Sequence, residues 1–186
     1  LEGLWFRYDD PRPCFAAIVA APDDRVQQLF AELYAQPLDA SLIARRAAEM
    51  RAAGAPVVLA GTPQAVGRHG EAILAAGLDM VIIQSQVSSA RHIASGYAPL
   101  ELSTFVERAG IPVGIGNTSN AAAAYALMEQ GAAAIFVGVG PGNACTSRGV
   151  LGIGVPQATA IADVAGARMR HLDETGVYVH VIADGG

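Results

Sequence analysis

From position 56 onward, short runs that are apolar at nearly every residue alternate with longer stretches that are apolar every third or fourth residue. The runs are 56–60, 80–83, 111–115, 132–137 and 177–183, and each reads as a strand. Between them, 63–76, 100–109, 119–130 and 156–174 read as helices, the third capped by Ser119 and the first three closed by Gly77, Gly110 and Gly131. Segment 85–95 reads as a polar loop with a short helix. Upstream, a helix is predicted to start at Pro22-Asp23-Asp24 and end at Pro37, and a second to be capped by Ser41 and stopped by Gly54. A strand without polar alternation is buried on both faces. Five strand-helix steps of this kind therefore require a parallel sheet covered by helices.

Two α/β architectures meet that requirement, an open doubly wound sheet and a (β/α)8 barrel. Eight βα units need ~250 residues. A chain of 186 residues fits a barrel lacking some members or a complete, smaller open sheet. Composition agrees with either, with 52% hydrophobic and 16% charged residues. The net charge of −5, without blocks of like charge, argues against nucleic acid or an anionic membrane as partner. No run approaches the ~18 apolar residues of a membrane span, and no signal-peptide pattern is present. Two cysteines, Cys14 and Cys145, make no disulfide framework, so a reducing cytoplasm is the expected home. The chain starts at Leu1 and ends on Asp184-Gly185-Gly186 directly after a strand, which is expected of a fragment.

The polar and glycine-rich segments fall after the strands, where both architectures place their chemistry. They are Gly61-Thr62, Gln84-Ser85-Gln86, Gly116-Asn117-Thr118, 138–148 and Asp184-Gly185-Gly186. The 138–148 segment joins three glycines and a proline to Cys145, Thr146, Ser147 and Arg148. Two readings of Cys145 stand: a nucleophile beside a cation, or a small filler. Thr146 and Ser147 read as proton carriers or ordinary loop hydroxyls, and Arg148 as an anion contact or an ion-pair partner. Asp184-Gly185-Gly186 reads as a ribose-and-phosphate holder or as a tight turn. Asn117 reads as a base or ribose contact or a turn residue. His69, His92, His171 and His180 are scattered without metal-ligand spacing. No Gly-Lys-Ser/Thr follows the glycine loop, and no GxGxxG enters a helix, so neither a P-loop nor a Rossmann cofactor site is supported.

Gly138-Val139-Gly140-Pro141-Gly142-Asn143-Ala144-Cys145-Thr146-Ser147-Arg148 is followed by Gly154-Val155-Pro156-Gln157-Ala158-Thr159-Ala160 and by Val181-Ile182-Ala183-Asp184-Gly185-Gly186. In order and spacing these blocks resemble the IMP dehydrogenase / GMP reductase family. Leu1-Glu2-Gly3-Leu4-Trp5 and Leu172-Asp173-Glu174-Thr175-Gly176 are similar, more closely, to the IMP dehydrogenase-related proteins of actinobacteria and cyanobacteria that lack CBS domains. The resemblance implies that residues 1–186 are a fragment of a single catalytic (β/α)8 barrel, with strands 3 to 7 present and strands 1, 2 and 8 missing. It also implies no CBS regulatory insertion, since only about 50 residues precede Pro56.

The implied activity is NAD(P)-dependent oxidoreduction at C2 of a purine 5′-monophosphate (IMP, XMP or GMP) through a covalent cysteine adduct. It is written as IMP dehydrogenase-type, IMP to XMP, with GMP reductase or a non-catalytic nucleotide-binding paralogue as alternatives. Carried over by position, Cys145 is the nucleophile, and Ser147 stands where the family has its catalytic threonine. Asn143, Asp184, Gly185, Gly186 and Asn117 contact substrate. Gln84 and Ser85 face NAD or NADP, although the family usually has an aspartate at the position of Gln84. The backbone of Gly140, Gly142 and Cys145 stands where many members bind a monovalent cation such as K+. Residues that fix reaction direction lie on a flap beyond Gly186. The resemblance further implies a homo-oligomer, commonly a tetramer. Expressed as these 186 residues alone, the chain is expected to aggregate through unpaired strand edges. A soluble monomer with a cooperative melt, seen by size exclusion and calorimetry, would contradict this.

Overall fold

A computed structural model describes residues 40–85, 87–94 and 96–186. The predicted helix at 22–36 and Cys14 lie outside the described residues. Among the described residues two compact units are distinguished, one holding 40–59 and 71–78 and the other 60–70 and 79–186. In chain order the elements are α1 (Ala40–Ala52), β1 (Val58–Gly61), α2 (Pro63–Ala75), β2 (Met80–Gln84), α3 (Leu102–Ala109), β3 (Val113–Thr118), α4 (Ala121–Glu129), β4 (Ala134–Val137), α5 (Ser147–Leu151), α6 (Gln157–Thr175) and β5 (His180–Ala183).

All five predicted strands form, in the order β1-β2-β3-β4-β5. The pairs β2–β3, β3–β4 and β4–β5 are parallel. Each strand lies beside its predecessor. A doubly wound sheet reverses its strand order at a switch point, so the order here is that of a barrel wall.

In the first unit, α1 buries Leu42, Ile43 and Ala47. Arg46 is also buried there and pairs with Glu49 at 2.5 Å. Near the end of α1, Arg51 donates to the carbonyl of Gly77. The helix runs through Ser41, which therefore does not cap it.

The second unit holds the sheet's central strands. Val81, Ile83, Val113, Ile115, Ile135 and Val137 are all at most 1% exposed and supply its most buried face. Side chains alternate along a strand, so Met80, Ile82, Gln84 and Phe136 fall on the opposite, half-buried face. There Gly114 and Gly116 leave room for Phe136: a Cβ at Gly116 would lie 2.5 Å from Phe136 Cβ and 2.7 Å from its carbonyl oxygen.

Gly110 and Gly176 end α3 and α6 in left-handed conformations. The cap of α4 is Asn120, not the neighbouring Ser119: its side chain accepts the Ala123 N–H at 2.9 Å. An aromatic and ionic cluster ties α4 to α6, with Tyr125 donating to Glu174 and Arg170 stacked 4.4 Å from the Tyr125 ring. The helix expected within 85–95 is absent among the described residues of that segment, which are bends and irregular backbone. Conversely α5 begins at Ser147, inside what the sequence reads as loop.

Gly116→Ala is expected to destabilise the fold by about 2–3 kcal/mol, since the added methyl meets backbone as well as side chain. Urea denaturation measures this, and an unchanged midpoint would contradict the packing described.

Candidate active site

β2, β3, β4 and β5 end side by side, and their C-terminal residues converge. Gln84 closes β2, Asn117 lies in the last two residues of β3, Gly138 follows β4, and Asp184 follows β5. Asn117 is 8% exposed. Its Nδ2 donates to the Gly138 carbonyl at 2.9 Å and to Asp184 Oδ2 at 2.7 Å. Its Oδ1 accepts from Gln84 Nε2 at 2.9 Å, and the same nitrogen donates to Asp184 Oδ2, also at 2.9 Å. The peptide bond between Gly116 and Asn117 is cis.

Gly138 has φ +151°, and a Cβ there would fall 2.1 Å from the Asp184 carbonyl oxygen. Only glycine admits that approach. Further along, Gly185 packs on Pro141, with 3.3 Å from its would-be Cβ to Pro141 Cγ. Gln157, the first residue of α6, donates from Nε2 to Val137 O at 2.7 Å and packs against Gly186. Its Oε1 is buried without a hydrogen-bond partner among the described residues. The glycine loop, the Asp184-Gly185-Gly186 turn and the start of α6 are thus one packed group. Gln157 was quoted in the sequence motif but given no role. Its neighbours come from β4 and β5, which a local reading does not bring together.

Cys145 is partly exposed on this loop, immediately ahead of α5. Its Sγ lies 3.3 Å from Ser147 Oγ, and its own N–H donates to Gly142 O at 3.2 Å. The thiol pKa is held below the ordinary range, first by the Ser147 hydroxyl, then by the Ser147 backbone N–H, with the Arg148 charge adding a smaller pull against desolvation. Ser147 is buried, whereas Asn143 is exposed on the same loop.

Arg148 serves the loop itself. Its Nη1 donates to Gly140 O at 2.6 Å, and its stem fills the space beside Gly140 and Gly154. Of the three carbonyls expected to hold a monovalent cation, that of Gly140 faces a guanidinium and that of Gly142 accepts from Cys145 N–H. A second cation would be repelled by the first. In this arrangement the Gly140 carbonyl is therefore not open to K+.

Beyond Gln84, the chain stays zipped to β3. Ser85 N–H donates to Gly116 O at 2.9 Å, and Ser88 N–H donates to Asn117 O at 2.7 Å. Ser85 Oγ donates to Val87 O. Beside it opens a cavity of about 240 Å3, lined among others by Ser85, Ser88, Ser89, Arg91 and His92. His92 Nδ1 accepts the Leu100 N–H at 2.8 Å, which leaves the ring's proton on Nε2 in the neutral form. Pro63, Ile83, Leu102 and Ile115 supply apolar lining to the same cavity, and the Ser85 and Ser88 hydroxyls already donate to Val87 O and Gly116 O. Arg91 was not singled out by sequence, and His92 only as one of four scattered histidines. Among the described residues no group of three His, Cys, Asp or Glu side chains is placed to hold a metal, and no helix is long and apolar enough to cross a membrane.

A family profile described as the IMP dehydrogenase / GMP reductase domain matches residues 41–186. An uncharacterised oxidoreductase of Mycobacterium leprae is 41% identical over 99% of this chain and 51% of its own length. The inosine-5′-monophosphate dehydrogenase of Haemophilus influenzae is 42% identical over 62% of this chain and 22% of its own. Among solved structures, an IMP dehydrogenase/GMP reductase-like protein from Corynebacterium glutamicum superposes with a TM-score of 0.86 at 37% identity, over 100% of this chain and 49% of that one. The chain spans about half the length of the curated oxidoreductases it matches most fully.

Alkylation of Cys145 by iodoacetamide, followed by mass spectrometry of its peptide, is expected to rise with pH through an inflection below that of free cysteine. The thiolate is the reacting form, and Ser147 favours it, so Ser147→Ala should move the inflection upward. An inflection unmoved by that substitution would contradict the assigned cause.

Proposed function

The chain belongs to the IMP dehydrogenase / GMP reductase family, and from that premise we propose that it acts as an oxidoreductase at C2 of a purine 5′-monophosphate, with Cys145 as the nucleophile. One observation carries the reading most: a thiol of lowered pKa, hydrogen-bonded to Ser147, on a loop packed against the Asp184-Gly185-Gly186 turn. In this reading the described residues form part of a single catalytic barrel without a CBS pair, working as a homo-oligomer in the cytoplasm.

The nucleotide's ribose hydroxyls bond to the Asp184 carboxylate, and its phosphate lies on the backbone amides of Gly185 and Gly186 with Asn143 beside it. This anchors C2 over the sulfur. NAD or NADP, when bound beside Ser85, takes up or supplies the hydride exchanged at C2. In the dehydrogenase direction the Cys145 thiolate forms a C–S bond at C2 of IMP, and that carbon loses its hydrogen with the bonding pair. Water then adds at C2 and releases a proton to solvent, the C–S bond breaks, and XMP leaves with the thiolate restored. Ser147 holds its hydroxyl on the sulfur and stabilises the anion at both ends of the cycle. No step is routed through a monovalent cation. Run in the reducing sense on GMP, the same sulfur displaces the 2-amino group, which takes a proton from solvent and leaves as ammonia, and the C–S bond breaks once the carbon has gained hydride. The described residues serve both directions, and IMP to XMP is the one we propose.

Full-length protein is incubated with IMP plus NAD+ or NADP+, and separately with GMP plus NADPH, following reduced-nicotinamide absorbance. Turnover of IMP is expected, and Cys145→Ala should lower it by about 10³-fold or more. Turnover of GMP alone would reverse the direction. No turnover of either nucleotide would overturn the catalytic reading in favour of a nucleotide-binding paralogue.

A further inference from the structure

We infer that Gln84 is a positioning residue for the nucleotide side of the site, acting through Asp184, and not a contact for the nicotinamide cofactor. The inference rests on the reading of Asp184 as the ribose holder. A side-chain amide has two hydrogens to give. Gln84 Nε2 directs them at Asn117 Oδ1 and Asp184 Oδ2, each at 2.9 Å. Asn117 likewise commits both of its hydrogens, to Gly138 O and Asp184 Oδ2. One carboxylate oxygen of Asp184 thus accepts two amide donors, from the ends of β2 and β3. That fixes the plane of the carboxylate and leaves Oδ1 to the ligand.

The arrangement also accounts for an amide at this position. A carboxylate at 84 would face two acceptors, Asn117 Oδ1 and Asp184 Oδ2, at hydrogen-bond distance with no hydrogen to share. Glutamine is long enough to reach Asp184, just past β5, across the ends of β3 and β4, and brings the right polarity. Asn117 acts in the same way. It is buried with every polar atom engaged, so it positions Asp184 and the root of the Cys145 loop without itself meeting substrate.

The test is equilibrium binding of IMP and of NAD+ to the full-length protein by calorimetry, each ligand alone. Gln84→Leu removes the donor, and Gln84→Glu keeps size while reversing polarity. Both are expected to weaken IMP about tenfold and leave NAD+ within about twofold. In an Asp184→Ala background the Gln84 substitutions should have no further effect on IMP, because the group they position is gone. That non-additivity separates positioning from general loosening of the fold, and circular dichroism identifies a variant that fails to fold, in which case Gln84→Glu decides. Weakened NAD+ with unchanged IMP, or unchanged affinity for both, would overturn the inference while leaving the nucleotide reading intact. A wild-type protein that binds no purine nucleotide would overturn both.

Discussion

The carboxylate of Asp184 is the point on which this site depends. It stands at the end of β5, yet the groups that hold it come from β2 and β3, 100 and 67 residues earlier. Those bonds exist only if three strand pairs are in the right register. A slip of one residue would turn Gln84 or Asn117 to the other face. The apolar face of the sheet sets that register, because Val81, Ile83, Val113, Ile115, Ile135 and Val137 are buried together. Hydrophobic burial fixes which residues end each strand, and the polar network then tightens geometry that burial has already brought near.

Much of the fold was legible along the chain because its signals are local. Unbroken apolar runs named the five strands, and glycines marked where α2, α3 and α4 stop. The choice between barrel and open sheet was not legible, because it depends on which strand lies beside which. Ser119 and Asn120 both suit a helix cap, and the choice fell to the residue whose oxygen reaches the Ala123 N–H. The five-residue α5 was hidden because glycine and proline dominate the segment before it.

The candidate site was legible in part. Cys145, Ser147, Asp184 and the glycine pair are named by the resemblance of their motifs to the family's, and the structure gathers their segments at one end of the sheet. The behaviour of Gln84, Asn117 and Arg148 was not legible. Gln84 and Asn117 were credited with ligands and Arg148 with an anion or an ion pair, but Gln84 and Asn117 direct their donors to protein acceptors and Arg148 bonds its own loop. Side-chain chemistry names what a residue is able to bind. Which partner it meets is decided by neighbours tens of residues away.

Gly138 has a consequence beyond its own turn. The space a side chain would occupy there is filled by the carbonyl of Asp184, so the root of the nucleophile's loop is shimmed directly against the chain that carries the carboxylate. Nothing compressible lies between them. Any misplacement of β5 is passed on to that root undiminished, and the sulfur and the carboxylate share one alignment rather than two independent ones.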